Sequence, residues 1–473
     1  MSAHQYSLGL IMKENTKVQQ VYDWVVDKIE RKIYLPNHKV PSIRSLASKL
    51  SCSTFTISQG YDRLVSMGYL NASSGSGYFV CERENHNENI DISSALIKNV
   101  LDTGWLMSHL FDELPDDKTS GSGLLPNDWL IDEDTIRNAI RKATKSANEF
   151  IYSYGHIQGY PLLRELFIKK LDDIGIKTTK DFVITMPGVS SAIQTVLKCI
   201  TNAGDYVVVD DPSWFWLLGC LHQLGLKVLS IPRNKDGADL IKLEEILVQY
   251  RPKIYITNSV LNNPTSFNVS PSMIYKTLNL LNSYDCYLLE DDVYGELANN
   301  QRILRYATLD GLERVFYITG VSKVLGANWR VGFLCPPKQF LESILRQKML
   351  SNMTSTELTE RSVYHIWLHS EYHKHIEKMK LKLIRKREMI ISLLQKLGFD
   401  YSEENACGIF IWLDTKCDTQ KMATEARKEG YLLAPGYLFS ANLHFSTYLR
   451  LNITRTTKEF IYWLYQYRLK QKS

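Results

Sequence analysis

From Lys17 to Tyr34 the apolar residues Val18, Val21, Tyr22, Val25, Ile29 and Ile33 recur every three or four positions, with charges between them. That spacing predicts an amphipathic helix, and PNHK breaks it. A second, short helix is predicted from Pro41-Ser42, with Ser42 as its N-cap and Leu46, Ala47 and Leu50 facing inward. A third begins near Ser53 and carries Ile57, Tyr61, Leu64 and Val65 as its apolar stripe. NASSGSGYFV then reads as a strand, a Gly/Ser turn and a returning strand. Three helices followed by a β-wing predict a winged helix-turn-helix over residues 1–81.

ERENHNENIDISS has no core-forming pattern and predicts a linker. An amphipathic helical stretch, SALIKNVLDTGWLMSHLFDEL, and a second flexible joint, KTSGSG, complete a connector over 82–123. From Leu124 the pattern changes. DFVIT, YVVVD, KVLSI, KIYIT, CYLLE, VFYIT and VGFL are short apolar runs separated by stretches long enough for helices. Such alternation predicts a mostly parallel sheet covered on both faces. Beyond about Lys348, long charged helices and then GIFIWL and YLRLNIT predict a smaller α+β unit. The body, 124–473, is thus read as a large part (about 124–348) and a small part (about 349–473), with no internal repeat.

Composition narrows the setting. Of 473 residues, 44% are hydrophobic and 23% charged, and no run approaches the ~18 apolar residues of a membrane span. The N-terminus lacks the basic start and apolar stretch of a secretion signal. The expectation is a cytoplasmic protein without a membrane partner. Eight cysteines without a CxxC pair predict reduced thiols. Charge is uneven: residues 1–80 carry nine Lys and Arg against five Asp and Glu, whereas 81–125 carry three against nine. A basic head precedes an acidic connector.

A helix-turn-helix inserts the start of its second helix into the major groove while nearby amides and cations hold phosphates. This makes Ser53, Thr54, Phe55 and Thr56 candidate groove residues, Ser42 and Arg44 phosphate clamps, and Ser74, Gly75, Ser76 and Gly77 a wing tip on the DNA backbone or in the minor groove. The segment resembles the GntR-type winged helix. Its pattern is present as Pro41, Ser42, Arg44, Leu46, Ala47, Thr56, Ile57, Tyr61, Leu64, Gly68, Tyr69, Gly75, Gly77, Phe79 and Val80. Two positions depart: Ser51 stands where the turn usually carries Gly, and Thr54 where the recognition helix usually opens with Arg. The resemblance implies double-stranded operator DNA as partner, and the lost cation implies a weaker dependence on salt.

A second constellation lies in the body. TGVSKVLGANWR places Lys323 after the strand VFYIT, at the sheet edge where α/β ligands collect. CYLLEDDVYGEL ends another strand in Asp291 and Tyr294, with Asp292 as the alternative acid, and LNNPTSF adds Asn263. Gly188, Val189 and Ser190 open a helix after a strand, where free amides favour a phosphate, and Arg330 and Ser322 can add to it. Trp214 offers a stacking surface. A lysine, an acid for a ring nitrogen, donors for a phenolic oxygen and a phosphate cradle are what pyridoxal phosphate requires. In this order the residues resemble the fold-type I aminotransferases over about 124–470. The resemblance implies a Schiff-base role for Lys323, a reach of Tyr154 to the neighbouring subunit's phosphate, and a substrate-carboxylate role for Arg450 in YLRLNIT. One departure is Gly320, where a phosphate-facing Ser or Thr is usual and where Thr319 or Ser322 is the candidate substitute. Another is Ser190-Ser191, where relatives often carry glutamines.

A GntR-type head joined to such a body resembles the MocR group of bacterial transcriptional regulators. The resemblance implies a fold-type I, pyridoxal-phosphate-binding body and a head-to-tail homodimer; a nearly complete cofactor site behind a flexible linker leads in turn to the expectation of an amino acid or amine effector sensed through an aldimine. Two other readings are a working aminotransferase that also binds DNA, and a repressor using a cofactor-free body as a dimerisation scaffold. His365, His369 and His373 fall at four-residue spacing but lack HExxH or a nearby cysteine, and are read as a solvated face, not as a metal site.

Overall fold

The computed structural model describes residues 17–30, 34, 37–73, 77–81, 114–145, 150–299, 303–401 and 408–471. Two compact units emerge, Met1–Ile92 and Ser93–Ser473. None of the described helices is long and apolar enough to cross a membrane.

In the first unit, α1 (Lys17–Glu30), α2 (Ile43–Leu50) and α3 (Thr54–Ser66) precede β1 (Leu70–Ser73) and β2 (Gly77–Val80). The strands pair antiparallel with Leu70 opposite Val80 and Ser73 opposite Gly77. Val21, Val25, Leu46, Ile57, Tyr61 and Leu64 interlock as the core, as their helical spacing predicts. Helices α1 and α3 approach so closely that a Cβ at Gly60 would stand 2.6 Å from Val21 Cγ1. The Ser42 hydroxyl accepts from the Ser45 amide to cap α2, which ends on Ser51 at φ 51°. That left-handed conformation explains why glycine is the usual residue there. The connector stretch 82–113 and the wing-tip residues Ser74, Gly75 and Ser76 lie outside the described residues.

The second unit is built on an eight-stranded sheet ordered β3-β10-β9-β8-β7-β4-β5-β6. Its strands are β3 (Ile184–Met186), β4 (Tyr206–Asp211), β5 (Lys227–Asn234), β6 (Gly237–Ala238), β7 (Ile254–Thr257), β8 (Tyr287–Asp291), β9 (Val315–Gly320) and β10 (Gly332–Cys335). Neighbours from β9 through β8, β7 and β4 to β5 run parallel. β10 is antiparallel to both β9 and β3. Burial on both faces explains the unbroken apolar runs. Val208, Tyr255, Leu288 and Tyr317 face one core, and Val207, Val209, Ile256, Leu289 and Phe316 face the other. All seven strands read from the sequence are present. The two-residue edge β6 carries no pattern long enough to read.

The small part holds β11 (Phe410–Asp414), β12 (Ala434–Pro435) and β13 (Tyr448–Asn452), with β13 central and all pairings antiparallel. The stretch read as a flexible joint is stitched to it. Gly121 N donates to Leu432 O, Leu432 N to Lys118 O and Asn452 N to Ser120 O, each at 2.8 Å. The Gly/Ser composition serves close approach here, since a Cβ at Gly121 would stand 2.3 Å from the Leu433 carbonyl carbon. The three histidines do not share one helix: His365 lies in Glu357–Trp367, His369 caps the following helix, and His373 lies within that helix, Ser370–Lys396.

A buried polar knot ties β4, β5 and β7. Arg233 Nη1 donates to Asp210 Oδ2 at 2.7 Å and to Thr257 Oγ1 at 3.0 Å, and Tyr255 donates its phenol to Asp210 Oδ1. Both charged side chains are 1% exposed. Removing the cation leaves Asp210 charged in the core, so Arg233→Ala is expected to cost about 3–5 kcal/mol, measured as a lowered urea midpoint. Arg233→Ala combined with Asp210→Asn should recover part of that loss, because the unpaired charge is gone.

Candidate functional site

The parallel strands and β3 deliver their carboxyl ends to one edge of the sheet, and a cavity of about 220 Å³ opens there. Its walls come from separate strand ends: Val189 and Ser190 after β3, Trp214 after β4, Asn263 after β7, Asp291 and Tyr294 at the end of β8, Ser322 and Lys323 after β9. Arg330, just before antiparallel β10, reaches the same edge. Residues more than 130 positions apart thus converge on one volume, as strand-end ligand sites in α/β sheets do.

Lys323 donates its Nζ to the Gly123 carbonyl at 3.0 Å and lies 5.3 Å from the centre of the Tyr294 ring. Burial, reinforced by the Arg450 and Arg330 cations and opposed by Asp291, pulls its amine down to about 8. A free-base fraction therefore exists near neutral pH, as a nucleophilic lysine requires. Burial pushes the Asp291 carboxyl up to about 7, with Asp292 adding to the rise and the Val293 amide and Lys323 opposing it. Asp292 faces away: its Oδ2 accepts from Arg305 Nε at 2.6 Å and from the Tyr317 phenol at 2.7 Å. The strand alternation that left two acids open in the sequence is resolved by placement, with Asp291 on the Lys323 side.

At the other end of the cavity the helix Val189–Ile200 starts from Gly188 at φ 83°. Arg330 Nη2 donates to the Pro187 carbonyl at 3.0 Å and to Ser190 Oγ at 2.8 Å. A Cβ on Gly188 would stand 2.6 Å from that Nη2, so the glycine makes room for the cation as well as the turn. First-turn amides, a hydroxyl and a guanidinium together form an anion cradle. Thr319 is turned away, donating its hydroxyl to the Asp292 carbonyl. Ser322 remains on the cavity side. A side chain at Gly320 would fit tightly: a Cβ there would stand 3.0 Å from Val189 Cγ2 and 3.1 Å from the Val331 carbonyl. Trp214 stacks on Trp216, ring centres 4.9 Å apart.

Arg450 on β13 is 1% exposed. It donates to Asn263 Oδ1 at 2.8 Å and to the Gly121 carbonyl at 2.6 Å, and its guanidinium carbon lies 4.4 Å from the Phe410 ring centre. Its Nε has no hydrogen-bond partner. Burial pulls the guanidinium down to about 10. Among the described residues no carboxylate pairs with it. Tyr154 is 75% exposed and does not line the cavity of its own chain. Asn258, Trp216 and the Gly123 carbonyl join the site without having been singled out in the sequence. Asn258 follows an apolar strand, and that placement is its only sequence signal.

In the head, Ser53 Oγ accepts from the Thr56 amide at 3.0 Å and its hydroxyl pairs with that of Thr56 at 2.8 Å. Capping occupies these two groups, while Thr54 and Phe55 project, Phe55 72% exposed. Arg44 and Ser42 are exposed near the start of α2. Exposed Lys39, not picked out in the sequence, runs its Cε against Gly77 of the wing.

The family model of class I and II aminotransferases matches residues 122–463, and that of the gntR family of bacterial regulatory proteins matches 17–80. The chain belongs to both: it is a MocR-type regulator. Among curated relatives of this MocR-type chain, the HTH-type transcriptional regulator YdcR of Escherichia coli is 26% identical over 448 residues, covering 92% of this chain and 94% of its own. YdfD of Bacillus subtilis is 23% identical over 95% of this chain and 94% of its own. NorG of Staphylococcus aureus is 22% identical over 85% and 93%. Solved structures show the fold of the MocR-type body. An archaeal alanine:glyoxylate aminotransferase superposes with TM-score 0.70 at 21% identity, covering 80% of this chain and 96% of its own. LysN, the α-aminoadipate aminotransferase of Thermus thermophilus solved with N-(5'-phosphopyridoxyl)-L-leucine, superposes with TM-score 0.68 at 21% identity over 80% and 95%.

Proposed function

We infer that this MocR-type regulator binds operator DNA through its head and holds pyridoxal phosphate in the strand-end cavity, where an amino acid or amine is recognised. The observation that carries the reading is the convergence of Lys323, Asp291 and the Ser190–Arg330 cradle on one cavity. The donor set fits the cofactor. Lys323 is the attachment point, and Asp291 faces the ring nitrogen. Asn263 and Tyr294 serve the phenolic oxygen, and Trp214 the ring face. Gly188, Val189, Ser190, Ser322 and Arg330 take the phosphate. Bound there, pyridoxal phosphate supplies an aldehyde that condenses reversibly with primary amines. Lys323 contributes a neutral amine, Asp291 holds a proton at the ring nitrogen, and Arg450 takes a ligand's carboxylate. The exposure of Tyr154 supports a head-to-tail homodimer in which it completes the partner's cradle.

A ligand changes DNA binding only through its different affinity for two states of the protein. The test is operator affinity of the cofactor-loaded protein, titrated with amino acids and amines. A shift confined to the loaded protein supports the reading, and no shift with any amine across a broad panel removes it. Arg44→Ala should weaken binding to all DNA sequences alike and lower the salt slope by about 1. Phe55→Ala should instead change which bases are preferred, because an apolar side chain in the groove contacts thymine methyl groups.

A second reading is a working aminotransferase, supported by Arg450, Asp291 and Tyr294 all being present. Steady multiple turnover with an amino acid and a keto acid would establish it.

A further inference from the structure

Ile151, Tyr152 and Tyr154 stand exposed on the loop 150–160, whose two ends are aromatic: Phe150 is buried and Tyr160 half-buried. One side chain spans both ends. The Arg361 guanidinium carbon lies 4.3 Å from the Phe150 ring centre and 4.5 Å from that of Tyr160. Glu357, one turn earlier on the helix Glu357–Trp367, fixes that cation, its Oε1 accepting from Arg361 Nε at 2.8 Å and pairing with Nη2 at 2.7 Å. The other Glu357 oxygen abuts the loop itself, since a Cβ on Gly155 would stand 3.0 Å from Oε2. The same helix holds the loop's return end. The Tyr160 amide donates to Glu360 Oε2 at 2.6 Å, and the Tyr160 and Tyr364 rings meet edge to face with centres 5.7 Å apart. Lys348 Nζ donates to the Ile157 carbonyl at 2.6 Å.

Exposed apolar side chains grouped on one loop mark a surface that another chain covers. A contact made from a fixed base loses less conformational freedom on forming than one made from a mobile loop, so the base strengthens whatever the tip holds. A planar guanidinium suits this base, because it stacks on aromatic rings while its edge keeps a carboxylate. Neither Arg361 nor the rings it joins line the cofactor cavity of their own chain. Any effect they have on a cofactor must therefore reach it through the loop.

We propose that Arg361 is a positioning residue for the cofactor phosphate of the neighbouring subunit: it pins both ends of the loop 150–160 and so holds Tyr154 against that phosphate. This rests on the head-to-tail reading given above and adds to it the side chain that sets the loop.

The test uses mixed dimers of two differently tagged full-length chains. Only one chain, the site subunit, keeps Lys323, and the other, the loop donor, carries Lys323→Ala, so titration with pyridoxal phosphate followed by absorbance reports a single site. Arg361→Met in the loop donor is expected to raise the half-saturating concentration about tenfold, as loss of one hydrogen bond to a charged group does. The same substitution in the site subunit should leave it unchanged. Pyridoxal, which lacks the phosphate, should be indifferent to both placements. A purely structural role would weaken both placements and both compounds alike. Phe150→Leu in the loop donor removes one ring and keeps the Glu357 pair; it should reproduce the asymmetry, and it decides if Arg361→Met does not fold. Tyr154→Phe in the loop donor reads the head-to-tail arrangement separately. If it weakens binding while Arg361→Met and Phe150→Leu do nothing, act equally from either subunit or act equally on pyridoxal, the positioning role is overturned and the arrangement stands. If Tyr154→Phe has no effect, the arrangement falls and the positioning role falls with it.

Discussion

Lys323→Ala is expected to abolish covalent attachment of pyridoxal phosphate while leaving the body folded. Wild-type protein incubated with the cofactor and then borohydride should gain the reduced cofactor's mass on the peptide containing Lys323, and the variant should gain none. Stability is not at risk, because among the described residues the amine's only hydrogen bond goes to the Gly123 carbonyl and its burial is a cost. The folded-state value of about 8 lies below the ordinary 10.5. The unfolded chain therefore binds more protons between these values, and wild-type stability rises with pH across that window. The penalty is full below about pH 8, on the order of 3 kcal/mol, and gone above about 10.5. Without cofactor, Lys323→Ala should thus be no less stable than wild type at pH 7, and the two should converge at high pH. The rate of capture should follow the neutral amine, rising about tenfold per pH unit and levelling off above about 8. Stopped-flow absorbance reads this directly. A modified Lys323→Ala protein, or a capture rate flat from pH 6 to 8, would sink the assignment.

Much of this arrangement was legible because strand ends are legible. An apolar run followed by a chemically distinct residue marks an edge position, and Lys323, Asp291 and Asn263 all follow such runs. What stayed hidden was carried by backbone and by volume. The Gly121 and Gly123 carbonyls that hold Arg450 and Lys323 have no side-chain signature, and their Gly/Ser surroundings imitate a loose joint. Arg330 adopts φ 49°, which nothing in its identity announces. Gly320 looked like a missing hydroxyl. In the structure Val189 Cγ2 and the Val331 carbonyl stand close to where a Cβ at 320 would lie, so a side chain there requires these neighbours to give by a few tenths of an ångström. At the wing tip, 74–76, and in the connector stretch 82–113, the sequence reading falls on residues outside those described.

Arg450→Leu is expected to erase the distinction between an amino acid and its decarboxylated amine. The guanidinium is buried among Phe410, Phe439 and Phe215, and among the described residues it donates only to the Gly121 carbonyl and Asn263 Oδ1. On the proposed reading, this cation, which has no anionic partner among the described residues and an Nε without a hydrogen-bond partner, takes the ligand's carboxylate. Losing one partner of such a buried, hydrogen-bonded charge pair costs about 2–5 kcal/mol, or roughly 30- to 5,000-fold in affinity. With cofactor bound, titration by absorbance should show wild-type protein favouring phenylalanine over phenethylamine by a factor in that range. Arg450→Leu should bring the ratio near one, mainly by weakening the amino acid. Arg450→Lys should recover only part, because a point charge does not reproduce the bidentate fork. If wild-type protein shows no preference for the carboxylate, Arg450 is a structural cation that ties Gly121 and Asn263 to β13. The effector class then contracts to amines.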